Sequence, residues 1–451
     1  MVFSSIEFLL YFLPIFLILY GFTPNAYKNV TLLIGSIVFY AMGEPRYILL
    51  LAVSLVGNYL IGLELTQKRR RYHRKQNQKK WLLTGAVIGN LGILLLFKGT
   101  SDKLGLPLGI SFYTFQIISY LIDVYRGTIN RETSLLRFST YIVMFPKVTS
   151  GPIVNYGTME AAIRQRSMTA SGIQDGCKIL TLGLASKVLL ADRLGLLWHQ
   201  VQTTGYESIS TPLAWLAAIA YSLEIYFDFY GYSLMAVGLG RMLGFELPQN
   251  FREPYMAKGV RDFYRRWHMT LYGWFRQYVY IPLGGNRKGS ARTVGNLLIV
   301  WLLTGLWHGS TLNFLIWGML LWFLIVMERF LDRFRMLRSL ELFPRLYLWI
   351  VIPISWVCFA IPDLSELGIY LGRMFGTLEG INVSFGDWQR ALADYIWLFA
   401  AGFVGCTPLI RKVYGKVKNH IVTEILLGFL FWICVVQLIK SGENTFMYFH
   451  F

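Results

Sequence analysis

Charge is scarce in this sequence. Only 15% of its 451 residues are Asp, Glu, Lys or Arg, while 55% are hydrophobic and 16% aromatic; a soluble chain carries about a quarter charged residues. That balance excludes an ordinary water-soluble globular protein. Cysteine is scarce too: Cys177, Cys358, Cys406 and Cys434 stand far apart and form no CxxC pair, which excludes a disulfide framework and a cysteine-based metal site. The phosphate-binding and hydrolytic signatures are missing as well. "GGNRKGS" (284–290) has glycines spaced as in a P-loop, but Lys288 precedes Gly289 instead of following it. With no GxGxxG and no GxSxG, neither an ATPase nor an in-chain serine hydrolase has local support. The net charge of +18 comes without zinc-finger spacing or an aromatic-interleaved basic groove, so no nucleic-acid partner is expected.

What is present is a series of apolar runs near the length that spans a bilayer. They fall at 7–22, 30–44, 46–65, 81–98, 106–124, 173–191, 211–243, 294–308, 311–328, 346–362, 391–409 and 422–440. The opening "MVFSSIEFLLYFLPIFLILYGF" has no basic n-region and carries Glu7, so it is expected to be a retained first helix and not a signal peptide. Loop lysines and arginines orient the chain. "QKRRRYHRKQNQKK" (67–80), 125–138, 329–345 and "RKVYGKVK" (411–418) are expected to be cytoplasmic, with 98–105, 192–210 and 363–390 outside.

Two stretches break the pattern. "FSTYIVMFPKVTSGPIV" (138–154) is interrupted by Pro146, Lys147, Gly151 and Pro152, and "MTLYGWFRQYVYIPLGG" (269–285) by Gly273, Arg276 and Pro282. Irregular backbone at membrane depth survives only where protein or a cavity surrounds it, so both predict re-entrant pieces. The expected fold is all-α: a polytopic transmembrane protein of about 11–12 spanning helices plus re-entrant segments around a central tunnel.

Polar residues inside such a chain mark candidate sites. Glu224 and Asp228, four apart in "SLEIYFDF", share one helix face; they read either as a strut paired with Arg241 or Lys187, or as a proton path. Residues 248–292 alternate Arg and Lys with Trp and Tyr. Arginine forks hold phosphates bidentately, and the same composition also makes an interfacial girdle. Of six histidines, His268 lies in that basic stretch and His308 ends a short apolar run in "LLTGLWHGSTLNF". A helix from Asn296 carries His308 roughly 20 Å along its axis, inside a bilayer about 30 Å thick. An imidazole there is either a hydrogen-bonded packing residue or a general base.

"RRWHMTLYGWFRQYVYIPLGGNRKG" and "LTGLWHGSTLNFLIWG" resemble the membrane-bound O-acyltransferase family, in its bacterial alginate O-acetyltransferase branch. So do "MVFSSIEFLLYFLPIF", "LPLGISFYTFQIISYLIDVYRG", "FPKVTSGPIV", "KVLLADRL" and "DFYGYSLMAVGLGRMLGFELPQNFREPY". The resemblance covers most of 1–320 in order. Two positions depart from the branch: Leu234 stands where "GYSDMA" has an acid, and "TGLWHGS" replaces "GGLWHGA".

The resemblance implies one transmembrane domain over 1–451 in a bacterial inner membrane, with a tunnel through it. It implies that His308 is catalytic and that His268 is the second histidine. It also implies acetyl-CoA as the cytoplasmic donor, with no tightly bound cofactor or metal, and an extracytoplasmic polysaccharide as acceptor, reached through an SGNH-type partner acetyltransferase. Arg265, Arg266 and Arg276 are the expected holders of donor phosphates. The alternatives are D-alanyl transfer to teichoic acid and export of an acylated precursor driven by Glu224 and Asp228.

Overall fold

The computed structural model describes residues 2–66, 73–149, 151–331, 343–378 and 383–441. The orientation markers at 67–72 and 332–342, together with His450, lie outside the described residues. Each apolar run of the sequence is helical, and no strand occurs among the described residues. This is an all-α, multi-pass membrane architecture.

Four helices are long and apolar enough to cross a bilayer: Pro45–Leu65, Asn77–Gly99, Leu312–Leu331 and Ile421–Ser441. A fifth is bent by 73° between Asp387–Gly405 and Leu409–Val417. Glu7–Phe22 and Arg345–Ala360 are apolar but shorter. Length and apolarity pick out fewer spans than the sequence pattern because several helices carry polar groups. Ile110–Arg126, for instance, buries Gln116, Ser119 and Asp123; such side chains are tolerated in a membrane protein where they face protein.

The described residues form two compact units. The first takes Met1–Gly183 and Tyr232–Gln249. Its spanning helices are joined by polar contacts that gain weight where no water competes. Asn58 and Asn90 exchange amide hydrogen bonds of 3.2 and 2.8 Å between Ile48–Leu65 and His73–Gly99. The stretch 138–154 is broken as expected: the helix Leu135–Val143 ends at Met144, and Phe145–Val148 makes a single turn around Pro146. Gly109 faces that turn at φ +67°, and a Cβ there would lie 2.0 Å from the Val148 carbonyl oxygen, so only glycine fits. In the same unit the fully buried Glu132 accepts from Arg137 (2.8 Å), Tyr156 Oη (2.5 Å) and the Ser134 amide (2.8 Å).

The second unit takes Leu184–Gly231 and Asn250–Phe451. The helix Thr211–Met242 thus supplies its first part, to Gly231, to this unit. The stretch 269–285 is also broken, with the helix Met269–Phe275 running into a π-type turn at Arg276–Tyr280. Both histidine motifs belong to this unit.

Candidate active site

His308 is the last residue of the helix Ser290–His308. The chain turns at once into Leu312–Leu331, and glycines let the two helices meet at their backbones. A Cβ on Gly305 would stand 2.6 Å from the Phe314 carbonyl oxygen, and one on Gly318 would stand 2.6 Å from that of Trp301. Asn313 secures the turn by donating to the Phe359 carbonyl at 2.8 Å, at the end of the helix Phe343–Ala360. Three ring planes then enclose the imidazole. Trp317 and Phe359 stand nearly perpendicular to it, each with centroids at 5.0 Å, and Trp307 lies at 4.5 Å. His308 is 4% exposed, so water has little access to it.

His268 caps the helix Met269–Phe275 in a left-handed conformation, φ +42° and ψ +55°. A non-glycine residue there is uncommon and marks a place for a functional hypothesis. Its Nδ1 lies 3.3 Å from Asn250 Oδ1. The edge of Phe229 meets its ring at 4.7 Å and 90°, and Trp307 reaches it at 6.2 Å. His268 lies outside the spanning helices, and burial pushes its imidazole down to about 3, so the ring is neutral.

One cavity of about 720 Å³ is lined by both imidazoles, a size that takes a small-molecule ligand. Arg261, Arg265, Arg276, Arg287, Lys288 and Arg329 also line it, and among the described residues no Asp or Glu does. The rest of the wall is largely aromatic, including Trp267, Trp301, Trp317 and Trp356. An anionic group can be held by such cations, and an uncharged group can pack on the rings. Of the three arginines expected to hold phosphates, Arg265 and Arg276 line the cavity.

Arg266 does not. Its guanidinium holds Asp262, at 3.1 Å from Nε to Oδ1 and 3.0 Å from Nη2 to Oδ2. Burial raises the Asp262 carboxyl, but the bonds from Arg266 and the Lys258 amide outweigh it and leave the carboxyl below its ordinary range. Sequence reasoning does not single out Asn250, Trp317 or Arg329. Arg329 ends an apolar run far from the basic stretch, and Asn250 sits in a loop with no periodic signal.

Glu224 and Asp228 lie apart from this wall. Lys187 reaches Asp192 and Asp228, the latter at 3.5 Å, which is the strut arrangement for Asp228. Arg241, the other candidate partner, pairs with Asp175 at 3.2 Å. Glu224 packs its carboxyl on the backbone of Gly195, where a Cβ would lie 2.2 Å from Oε1. Among the described residues, no group of three His, Cys, Asp or Glu side chains is placed to hold a metal ion.

The sequence pattern of the membrane-bound O-acyltransferase family matches residues 128–365, a stretch that contains every residue of the cavity wall. The chain belongs to the membrane-bound O-acyltransferase family. Its relatives agree. The "Probable alginate O-acetylase AlgI" of Pseudomonas fluorescens is 36% identical over 86% of this chain and 77% of its own length. The protein of the same name in Pseudomonas putida is 33% identical over the whole of both chains. The "Peptidoglycan O-acetyltransferase" of Helicobacter pylori is 30% identical over 85% of this chain and 81% of its own. As a member of the family the chain is an O-acyltransferase of the membrane, and the aromatic-walled cavity with its two imidazoles is its candidate active site.

Proposed function

We propose that this acyltransferase takes an acetyl group from acetyl-coenzyme A on the cytoplasmic side of a bacterial inner membrane. It passes that group toward hydroxyls of an extracytoplasmic cell-envelope polysaccharide, alginate first among the candidates, with an SGNH-type partner completing the transfer. The supporting observation is the cavity: two imidazoles in an aromatic wall and, among the described residues that line it, six cationic side chains and no acid. A thioester bearing several phosphates fits that division of charge. Relatives named for O-acetylation of alginate and of peptidoglycan support acetyl as the acyl group and a glycan as the acceptor.

In this reading Arg265 and Arg276 hold donor phosphates, and the acyl end lies beside His308. His308 acts as general base. The acceptor oxygen attacks the thioester carbonyl carbon while the imidazole takes the hydroxyl proton; the new C–O bond forms and the C–S bond breaks. The proton then passes to the departing thiolate, leaving ester and free thiol. His268 holds a substrate group in line. Positioning of this kind is worth several kcal/mol, and the base adds about 10²–10⁴-fold.

The test uses membranes carrying the protein or its His308→Ala variant, supplied with acetyl-labelled coenzyme A and candidate glycans. The variant is expected to insert and fold but to transfer no label. Retained transfer would overturn the assignment. Ester-linked acetate measured on each envelope polymer after deletion of the gene identifies the acceptor.

A further inference from the structure

We propose that Asn250 is a positioning residue that fixes His268 in a single tautomer, with the proton on Nδ1 and Nε2 as the accepting nitrogen. The inference rests on the acyl-transfer reading of the cavity, and it decides what His268 does there: it accepts a hydrogen bond from a substrate donor group other than the hydroxyl whose proton His308 takes, and does not polarise the thioester carbonyl.

The argument runs through one oxygen. Asn250 Oδ1 lies 2.6 Å from Thr270 Oγ1, 3.3 Å from the Thr270 backbone nitrogen and 3.3 Å from His268 Nδ1. Asparagine oxygen and nitrogen look alike, so their placement follows from the network. Here the backbone settles it. A peptide N–H can only donate, so the side-chain atom facing the Thr270 amide is the carbonyl oxygen and not the amino group. A carbonyl oxygen can only accept, so His268 Nδ1 must donate to it. A neutral imidazole has one N–H; with that proton on Nδ1, Nε2 carries the lone pair.

The rest of the geometry holds the ring to this task. The Asn250 carbonyl accepts from the Met269 amide at 2.8 Å, so main chain and side chain of one residue brace positions 268 to 270. That bracing supports the left-handed backbone of His268, a conformation that costs on the order of 1–3 kcal/mol when nothing compensates it. Asn250 is 1% exposed, and the Phe229 edge sets the ring plane. A histidine that orients a reacting group is commonly held through its other nitrogen by just such an acceptor.

Two variants and one spectrum test this on the full-length purified chain. Asn250→Asp keeps an acceptor oxygen in place but makes it a carboxylate, which stabilises the imidazolium. The His268 imidazole, followed by ¹⁵N NMR, is expected to charge about one to two pH units higher than in wild type, with activity at pH 8 within about tenfold of wild type. Asn250→Leu removes the acceptor; kcat is expected to fall by about 10²-fold with little change in KM for the donor. An unshifted titration of the His268 imidazole in the aspartate variant, or a wild-type kcat in the leucine variant, overturns the proposal. If the leucine variant does not fold, the aspartate variant carries the test.

The independent readout is ¹⁵N NMR of histidine-labelled protein, assigned against His268→Gln. Nδ1 is expected as the protonated nitrogen and Nε2 as the bare one. The reverse tautomer overturns this inference and leaves the acyl-transfer reading standing, whereas transfer by His308→Ala removes that reading and leaves the tautomer as found.

Discussion

Gly305 and Phe314 are in backbone contact: a Cβ on the first would lie 2.6 Å from the carbonyl oxygen of the second. The oxygen belongs to a helix backbone and cannot step aside as a side chain does. Gly305→Ala is therefore expected to separate Ser290–His308 from Leu312–Leu331 at a cost of about 1–3 kcal/mol. His308 lies one turn further on, and a shift of about 1 Å can cost roughly 10²-fold in rate. Thermal unfolding in detergent and acetyl transfer should both fall. Gly295→Ala is the comparison in the same helix, because nothing lies within 4 Å of its added carbon; it should leave both unchanged or slightly raise stability.

The adjacent arginines separate cleanly. Arg265→Gln and Arg276→Gln each remove a cation from the cavity wall and should raise KM for the donor by about tenfold or more, as expected for a charge-assisted bond worth roughly 1.5–3 kcal/mol. The salt dependence of KM should weaken as well. Arg266→Gln should leave KM alone. Its pair with Asp262 is about a third exposed on both sides, so stability should drop by no more than about 1 kcal/mol. A rise in KM confined to Arg266→Gln would reverse the assignment.

Glu132 makes stability depend on pH. Burial pushes its carboxyl up, but hydrogen bonds from Arg137, Tyr156 and the Ser134 amide outweigh it and bring the value below the ordinary 4.5. A carboxyl depressed in the folded state stabilises the fold above the unfolded value, and that contribution disappears as pH falls through the folded one. The melting temperature should therefore drop below about pH 4.5. Glu132→Gln should flatten this limb and cost about 3 kcal/mol at pH 7 by leaving Arg137 without its carboxylate. Melting curves between pH 3 and 8 decide it.

Lys187 tests the export alternative. Its ammonium stands between Asp192 and Asp228, with Lys187 and Asp228 both 2% exposed. Lys187→Met should destabilise the protein by about 3–5 kcal/mol, whereas Glu224→Gln should change acetyl transfer less than twofold. An exporter coupled through these carboxyls would instead stop at Glu224→Gln while the protein stayed folded.

Much of the fold is legible in the amino-acid sequence. Each apolar run marks a helix because a bilayer leaves few other ways to satisfy a backbone. The prolines and glycines of 138–154 and 269–285 mark where helices break. The two histidines and the arginine stretch stand out by resemblance and not by periodicity, since spacing does not tell a packing imidazole from a reacting one. Arg265 and Arg266 look equivalent in the sequence because composition does not say which way neighbours on a turn point; Asp262, four residues before Arg266, is the available sign. Asn250 leaves no sign. It acts across 18 residues of separation through a left-handed turn that propensity does not foresee.

The cations that line the cavity also set a tempo. Positive walls draw an anionic donor in faster than diffusion alone would bring a neutral one. On the acetyl-coenzyme A reading, however, the reaction changes only the thioester end. The spent carrier keeps every phosphate it arrived with, and the same side chains grip it as firmly as they gripped the donor. Spent carrier then competes with fresh donor for the same side chains. Such an enzyme idles when spent carrier accumulates and quickens when the cytoplasm recharges it.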